Sequence, residues 1–377
     1  MTRLESVGVG LIGTGYMGKC HAIAYTAVAT VFGLPRPRLE LLCEVDEALA
    51  AEKAAAFGFA RSTADWRALV SDPAVDVVSI TTPNALHPAM AIEAARNGKH
   101  VYCEKPLALT LEEAEAMAAA VREAGVRSLV GYNYTKNPAV AHARRLVEEG
   151  AIGRLVHFRG VFDEDYLADP ELPHSWRMER AKAGSGTLGD LASHLINMAQ
   201  FLCGPIEAVM AELTTMHAER PLPDGAAGAT GRVENDDTVS ALLRFRDGFS
   251  GSLASSRIAW GRKSRFAWEL HGSAGMIAFD QERMNELQLY QARGPKAEQG
   301  FKTILSGPAH PPFGLFVPAP GHSLGFNDMK AVEVAHLLRG LAGEETLYPT
   351  FEDALATERA MHAVLRSAEE ARWVALD

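Results

Sequence analysis

Little in this sequence points outside the cytoplasm. Four cysteines, Cys20, Cys43, Cys103 and Cys203, are spread through 377 residues with no CxxC pair and no His/Cys cluster. That spacing suits reduced thiols filling a core and offers neither a disulfide framework nor a structural zinc site, so no metal is expected. Basic residues are outnumbered, 37 Lys and Arg against 47 Asp and Glu, for a formal net charge of −10. A nucleic-acid-binding surface needs a clustered positive field, and an anionic membrane would repel this chain for the same reason. No stretch reaches the roughly 18 consecutive apolar residues of a membrane span. Met1-Thr2-Arg3-Leu4-Glu5 leads straight into an apolar strand, leaving no room for a signal peptide. A soluble, cytoplasmic protein is expected.

What the chain does have is length and a usable core. At 377 residues, 47% hydrophobic and 22% charged, it suits two domains better than one. The first apolar run, Val7-Gly8-Val9-Gly10-Leu11-Ile12, passes into Gly13-Thr14-Gly15-Tyr16-Met17-Gly18 and then into an Ala-rich helical segment. Strand, glycine turn and helix in that order form the context in which GxGxxG binds a dinucleotide. Gly13 supplies the turn, Gly15 lets a pyrophosphate approach the backbone, and Gly18 permits close helix packing. The free N–H groups and dipole of the helix N-terminus favour phosphate, and Tyr16 and Met17 sit in the same loop.

A second strand, residues 39–43, ends at Glu44. An acid at that strand end accepts hydrogen bonds from the adenosine ribose and repels a 2′-phosphate, which favours NAD, with NADP still possible. Glu44 as a merely solvated strand end is the competing reading. The interval from Gly18 to Glu44 is long, with an insert around Phe32-Gly33-Leu34-Pro35-Arg36-Pro37. Helix 49–57, strand 75–80, helix 88–97, strand 101–103 and helix 111–124 continue the alternation, which predicts a parallel sheet with right-handed crossovers. Ligands bind such sheets at the carboxyl ends of strands, where Gly13, Glu44, Thr82 and Glu104 fall. Lys105, beside Pro106 at one of these ends, is placed to aim an ammonium at a ligand.

From about residue 155 the pattern turns to longer strands, 155–162, 239–245 and 250–256, which predict an antiparallel sheet. Residues 221–231 and 307–321 read as long loops. Helical spacing over 188–203 sets Leu191, Leu195, Met198 and Leu202 on one side and Asp190, His194 and Asn197 on another. Asp and His one turn apart can touch one ligand, or form a satisfied pair with no ligand at all.

Gly13-Thr14-Gly15-Tyr16-Met17-Gly18, Thr82-Pro83-Asn84-Ala85-Leu86-His87, Gly98-Lys99-His100-Val101 and Glu104-Lys105-Pro106-Leu107 together resemble the Gfo/Idh/MocA family of nicotinamide-dependent sugar and polyol oxidoreductases. The resemblance continues through Gly131-Tyr132-Asn133-Tyr134 and Trp176-Arg177 to Gly189-Asp190-Leu191-Ala192-Ser193-His194, so it covers essentially the whole chain. Within the family, Ala168-Asp169-Pro170 and Ser175-Trp176-Arg177 are similar to stretches of levoglucosan and inositol dehydrogenases. One departure is Thr135-Lys136, where many relatives carry arginines.

The resemblance implies a Rossmann domain, placed at residues 1–128, and an α/β domain with an open, mostly antiparallel sheet at 129–377 that carries the substrate and builds a homodimer or homotetramer. It implies cofactor contacts from Pro83, Asn84, His87, Asn133, Trp176 and Arg177 besides the residues above, and catalytic positions at Lys105, Asp190 and His194. The expected reaction is oxidation of a secondary hydroxyl of a sugar, anhydrosugar or cyclitol by NAD. His194 is the candidate base, Lys105 the cation that stabilises the alkoxide, and Asp190 the group that holds a neighbouring hydroxyl or orients His194. Two alternatives stand beside it: glycosidase chemistry through transient oxidation and elimination, and a nicotinamide-sensing regulatory protein without catalysis.

Overall fold

The computed structural model describes residues 6–223 and 228–376. The expectation drawn from residues 1–5 lies outside them, as does the middle of the loop at 221–231. The chain divides into two compact units, Met1–Lys136 with Gly325–Leu355, and Asn137–Leu324 with Ala356–Asp377. A single cut after residue 128 therefore does not describe it. The cause is the helix Phe326–Leu341, whose buried Met329, Ala331, Val334, Ala335 and Leu338 give it an apolar face. That face packs in the first unit, against the helix that follows the glycine loop.

The first unit runs β1 (Gly8–Ile12), α1 (Tyr16–Phe32), β2 (Arg38–Cys43), α2 (Glu47–Phe57), β3 (Arg61–Thr63), α3 (Trp66–Ser71), β4 (Val77–Ile80), α4 (His87–Arg96), β5 (His100–Cys103), α5 (Leu111–Ala124) and β6 (Ser128–Val130). Its six strands lie in the order β3-β2-β1-β4-β5-β6, all parallel. Every residue of β1 and β4 is buried, as a sheet covered on both faces requires. The order reverses between β1 and β4, which opens a crevice at their carboxyl ends.

Local chemistry agrees with the helix ends. Thr110 and Glu113 form a capping box on α5, which closes on Gly125 at φ 65°. Asp46 accepts from the Leu49 N–H to start α2. The long interval before Glu44 is mostly helix, because α1 spans 17 residues to a C-cap at Gly33 before β2 begins at Arg38.

The second unit is built on β7 (Leu155–Asp163), β8 (Ile206–Thr214), a small hairpin of β9 (Glu219–Pro221) and β10 (Thr230–Arg232), then β11 (Thr238–Phe245), β12 (Ser250–Ser256), β13 (Arg265–Gly272), β14 (Gly275–Asp280), β15 (Glu286–Gln291), β16 (Lys302–Leu305) and β17 (Val374–Ala375). The nine-stranded sheet runs β16-β15-β14-β13-β7-β12-β11-β8-β17. It is antiparallel except where β12 pairs with β7 in parallel. β11 alternates buried and exposed residues, so one face is covered and the other open. The hairpin β9–β10 corrects the expectation of an unstructured loop at its ends. A short helix, Phe313–Phe316, interrupts the loop expected at 307–321. Among the described residues no helix is long and apolar enough to cross a membrane, and the four cysteines are buried with none in a disulfide.

A tight backbone approach in the first unit joins α1 to the loop that precedes it. A Cβ on Gly18 would stand 2.3 Å from the Gly13 carbonyl oxygen. Backbone cannot yield as a side-chain tip can, so Gly18→Ala is expected to cost about 1–3 kcal/mol. Urea denaturation checks this, and a midpoint equal to wild type would remove the packing role.

Candidate active site

The glycine loop crosses the carboxyl ends of β1 and β2. Gly13, at φ +92°, occupies the left-handed region that glycine tolerates; its N–H reaches the Cys43 carbonyl at 3.0 Å. The Thr81 hydroxyl donates back to the Gly13 carbonyl at 2.8 Å. Gly15 is exposed, and a Cβ placed there would meet nothing within 4 Å. The three glycines thus divide into a turn, an open approach and a close contact, the arrangement that brings pyrophosphate to a helix N-terminus. Tyr16 is exposed beyond them and stacks on Phe326 at 5.8 Å.

Glu44 sits directly after β2 and faces this loop. Its Oε1 accepts from the Thr14 N–H at 3.1 Å and the Thr14 hydroxyl at 2.9 Å, while Oε2 accepts from the Val45 N–H at 2.8 Å. It is therefore anchored beside the glycine loop. Thr82, Pro83 and Asn84 follow β4 at the same edge. His87, expected to contact the cofactor, is turned inward: its ring is fully buried, with Nδ1 3.0 Å from the Pro106 carbonyl and Nε2 3.0 Å from the Thr82 carbonyl. The imidazole joins the loop after β4 to the loop after β5, and burial pushes its pKa down despite the two carbonyls. Asn133 is buried, and its Nδ2 has no hydrogen-bond partner among the described residues. A buried amide donor without a partner fits a ligand that supplies an acceptor.

The carboxylate of Glu104, also expected at the cofactor, is buried at the end of β5. Oε1 receives the Lys330 ammonium at 2.6 Å and His21 Nε2 at 2.9 Å. Lys330, with no exposed side-chain area, also donates to Glu333 at 2.8 Å and to the Tyr102 hydroxyl at 3.1 Å; Tyr102 in turn donates to Glu333. His21 stacks on Tyr102 with ring centroids 4.2 Å apart. Burial alone would raise the Glu104 carboxyl, but the Lys330 charge and the His21 hydrogen bond hold it far below the usual carboxylate range. Burial likewise opposes the Lys330 charge, and the two carboxylates override it, so the lysine stays protonated. Burial keeps His21 neutral. Lys105, the next residue, is half-buried.

In the second unit, Asp190 and His194 do not lie on one regular helix. Leu188–Ala192 forms a π-helical turn, and the α-helix begins only at Ser193. Such turns are rare and concentrate at functional sites. The approach is pinned: Asp236, itself buried, accepts from the N–H groups of Gly186 at 2.7 Å and Leu188 at 2.8 Å. The next residue, Asp237, pairs with buried Arg257 at 2.9 Å.

The polar stripe expected on this segment splits three ways. Asp190 Oδ2 accepts from the Tyr166 hydroxyl at 2.7 Å. His194 is buried beside the packed rings of Phe162 and Phe266, whose centroids lie 6.0 and 6.4 Å away. Asn197 Nδ2 approaches the Thr357 hydroxyl at 3.5 Å and belongs to the helix packing. Trp176 is half-buried and Arg177 exposed, with the guanidinium over the indole at 4.6 Å.

A family model described as an oxidoreductase family with an NAD-binding Rossmann fold matches residues 7–132, and the GFO/IDH/MocA C-terminal domain matches 140–278. The chain belongs to the Gfo/Idh/MocA family. Like its relatives it is an NAD-dependent oxidoreductase acting on CH–OH groups. It is 42% identical to levoglucosan dehydrogenase of Pseudarthrobacter phenanthrenivorans over 98% of both proteins. It is also 28% identical to inositol 2-dehydrogenase of Rhizobium meliloti over 98% of this chain and 99% of that one. A solved structure of levoglucosan dehydrogenase in complex with NADH and levoglucosan superposes with a TM-score of 0.95 at 42% identity, covering 99% of this chain and 100% of that one. Open space at Gly15, anchored Glu44 and the waiting amide of Asn133 are the features of this Gfo/Idh/MocA member that fit NAD.

Sequence reasoning missed Tyr166, Asp236 and Lys330. Each acts through distance in the chain that no local pattern reveals, although Asn235-Asp236-Asp237 before a strand is an unusual acidic cluster. Tyr166→Phe deletes one hydroxyl and keeps the ring. A hydrogen bond to a charged group is worth about 1.5–3 kcal/mol, so kcat/KM for the sugar should fall at least roughly tenfold while the NADH Kd holds. Steady-state kinetics and fluorescence titration measure the two; an unchanged kcat/KM would detach Tyr166 from the site.

Proposed function

We propose that this chain oxidises a secondary hydroxyl of an anhydrosugar of the levoglucosan type to the ketone. The observation that carries the proposal is full-length identity of 42% to levoglucosan dehydrogenase in a chain that holds Lys105, Asp190 and His194. NAD+, when bound, takes the hydride from the carbinol carbon. His194 takes the hydroxyl proton, since an imidazole titrates near working pH. Phe162 and Phe266 pack beside its ring. Lys105 stabilises the developing alkoxide as a positioned cation. Asp190, oriented by Tyr166, holds a neighbouring hydroxyl and sets the His194 ring. On the family resemblance, Trp176 and Arg177 help bind the cofactor or close the site.

A panel of anhydrosugars, sugars and cyclitols, read as NADH absorbance, tests the substrate class. Anhydrosugars should give the highest kcat/KM. Aglycone release without net NADH would replace this reading with elimination chemistry. His194→Ala and Lys105→Met should each lower kcat by roughly 10² or more, with NADH binding retained in His194→Ala. Near wild-type kcat in a folded His194→Ala protein would end the assignment.

Glu44 sets cofactor choice through its charge beside the glycine loop. It also anchors Thr14, so Glu44→Ser should weaken both cofactors and at the same time narrow the preference for NAD+ over NADP+, because the repulsion of a 2′-phosphate is gone. The ratio of the two kcat/KM values decides it. An unchanged ratio would locate the discrimination elsewhere.

We further propose a cytoplasmic homodimer or homotetramer. Support comes from the open sheet face, where a 330 Å³ hollow is lined by Arg159, Arg265 and Arg283 together with Glu269, Asp280 and Glu286. Charges of both signs on one patch can complement a second copy of that patch. A monomer mass in light scattering at micromolar concentration would refute the assembly.

A further inference from the structure

The cluster around Lys330 takes no part in the chemistry above, yet it brings together α1 (His21), the end of β5 (Tyr102 and Glu104) and the helix Phe326–Leu341 (Lys330 and Glu333). A fully buried ammonium is tolerated only when paired. Glu333, one turn away on the same helix, already pairs with Lys330 at 2.8 Å. Neutralising the lysine therefore does not call for Glu104. A second buried carboxylate adds charge that burial opposes, so its presence asks for another reason.

What the arrangement gives Glu104 is a fixed place. Lys330 and His21 converge on Oε1 from one side. From the other comes Gly131, where a Cβ would stand 2.6 Å from Oε1, 2.7 Å from Cδ and 2.8 Å from Oε2. A carboxylate pressed between an ammonium, an imidazole and a bare backbone has no alternative rotamer that keeps its partners. The next residue in the chain is Lys105. One peptide bond joins the locked residue to Lys105, which is half-buried where Glu104 is buried.

We infer that Lys330 and Gly131 are positioning residues: by locking Glu104 they fix the backbone from which Lys105 presents its ammonium to the nicotinamide half of the bound cofactor. The inference rests on the role given to Lys105 above, and goes beyond it by naming what holds that lysine in register.

Two variants loosen the lock by different routes. Gly131→Ala keeps every charge and drives a methyl against the carboxylate. The double variant Lys330→Met with Glu104→Gln removes the ammonium and one of its two carboxylates, which keeps the net charge of the cluster and leaves Glu333 with the Tyr102 hydroxyl. Lys105→Met serves as the reference. Fluorescence or calorimetric titration compares NADH with ADP-ribose, which has both riboses and the pyrophosphate but no nicotinamide. Misplacing a positioned group costs up to about 10²; the expected result is an NADH Kd raised roughly tenfold in both variants and in Lys105→Met, with the ADP-ribose Kd changed by less than about twofold. Damage to the domain as a whole would weaken the two ligands together.

Equal weakening of both ligands, or of neither, in folded Gly131→Ala or the double variant while Lys105→Met shows the split would overturn the inference and leave the Lys105 reading intact. No split in Lys105→Met itself would overturn both. Wild-type protein that binds NADH but oxidises none of the sugars would sink the proposed function alone, because the Kd comparison does not depend on the substrate.

Discussion

An ammonium with no access to water, shared by two carboxylates, is the interaction on which the first unit depends. Lys330 and Glu104 are far apart in the chain, and their 2.6 Å contact ties the helix Phe326–Leu341 to the parallel sheet. Removing one partner of such a buried pair costs about 3–5 kcal/mol, because the other charge is left unpaired. The pair is thus poor as a source of net stability and strong as a specification: only one docking of that helix satisfies it. Apolar packing against α1 could tolerate a slip, and the ion pair cannot.

The second unit uses the same device with other residues. Asp236 clamps the N–H groups of Gly186 and Leu188, and the Arg257–Asp237 pair holds the adjacent backbone. A π-helical turn needs such support, since its wide ring is less favourable than the α-helix it interrupts. In both units a buried carboxylate immobilises a loop, and the residues given a catalytic role in the proposed function lie within a few positions of the immobilised point. Function sits on loops, and loops become accurate only when something rigid holds them.

Most of the fold was legible because its signals are local. The alternation of apolar strands and Ala-rich helices and the glycine turn depend on neighbours in the chain. The strand 250–256 and the helix 111–124 were placed to the residue. What was not legible depends on partners distant in sequence. The parallel pairing of β7 with β12 follows from where β7 is inserted in the sheet, and periodicity is blind to it. The assignment of Phe326–Leu341 to the first unit rests on a lysine and a glutamate that look like surface charges in one dimension. Helical spacing at Asp190, His194 and Asn197 suggested a single stripe. The π turn and the separate partners Tyr166, Phe162 and Thr357 divide it, so similar spacing concealed three different environments.

Glu104 and Lys105 show how little of a motif's chemistry its residue types disclose. Both are charged, adjacent and at a strand end, and a reading by position assigns both to the ligand. The structure buries the first among its partners and leaves the second half-buried just past the end of β5. Once Gly131 and Lys330 provide a socket for the first, the backbone that carries the second is held. A loop residue that must place a charge within a fraction of an ångström gains accuracy from an anchored neighbour. On this argument the acidic residue of the pair is part of the scaffold, and its burial is the condition under which the basic residue can act.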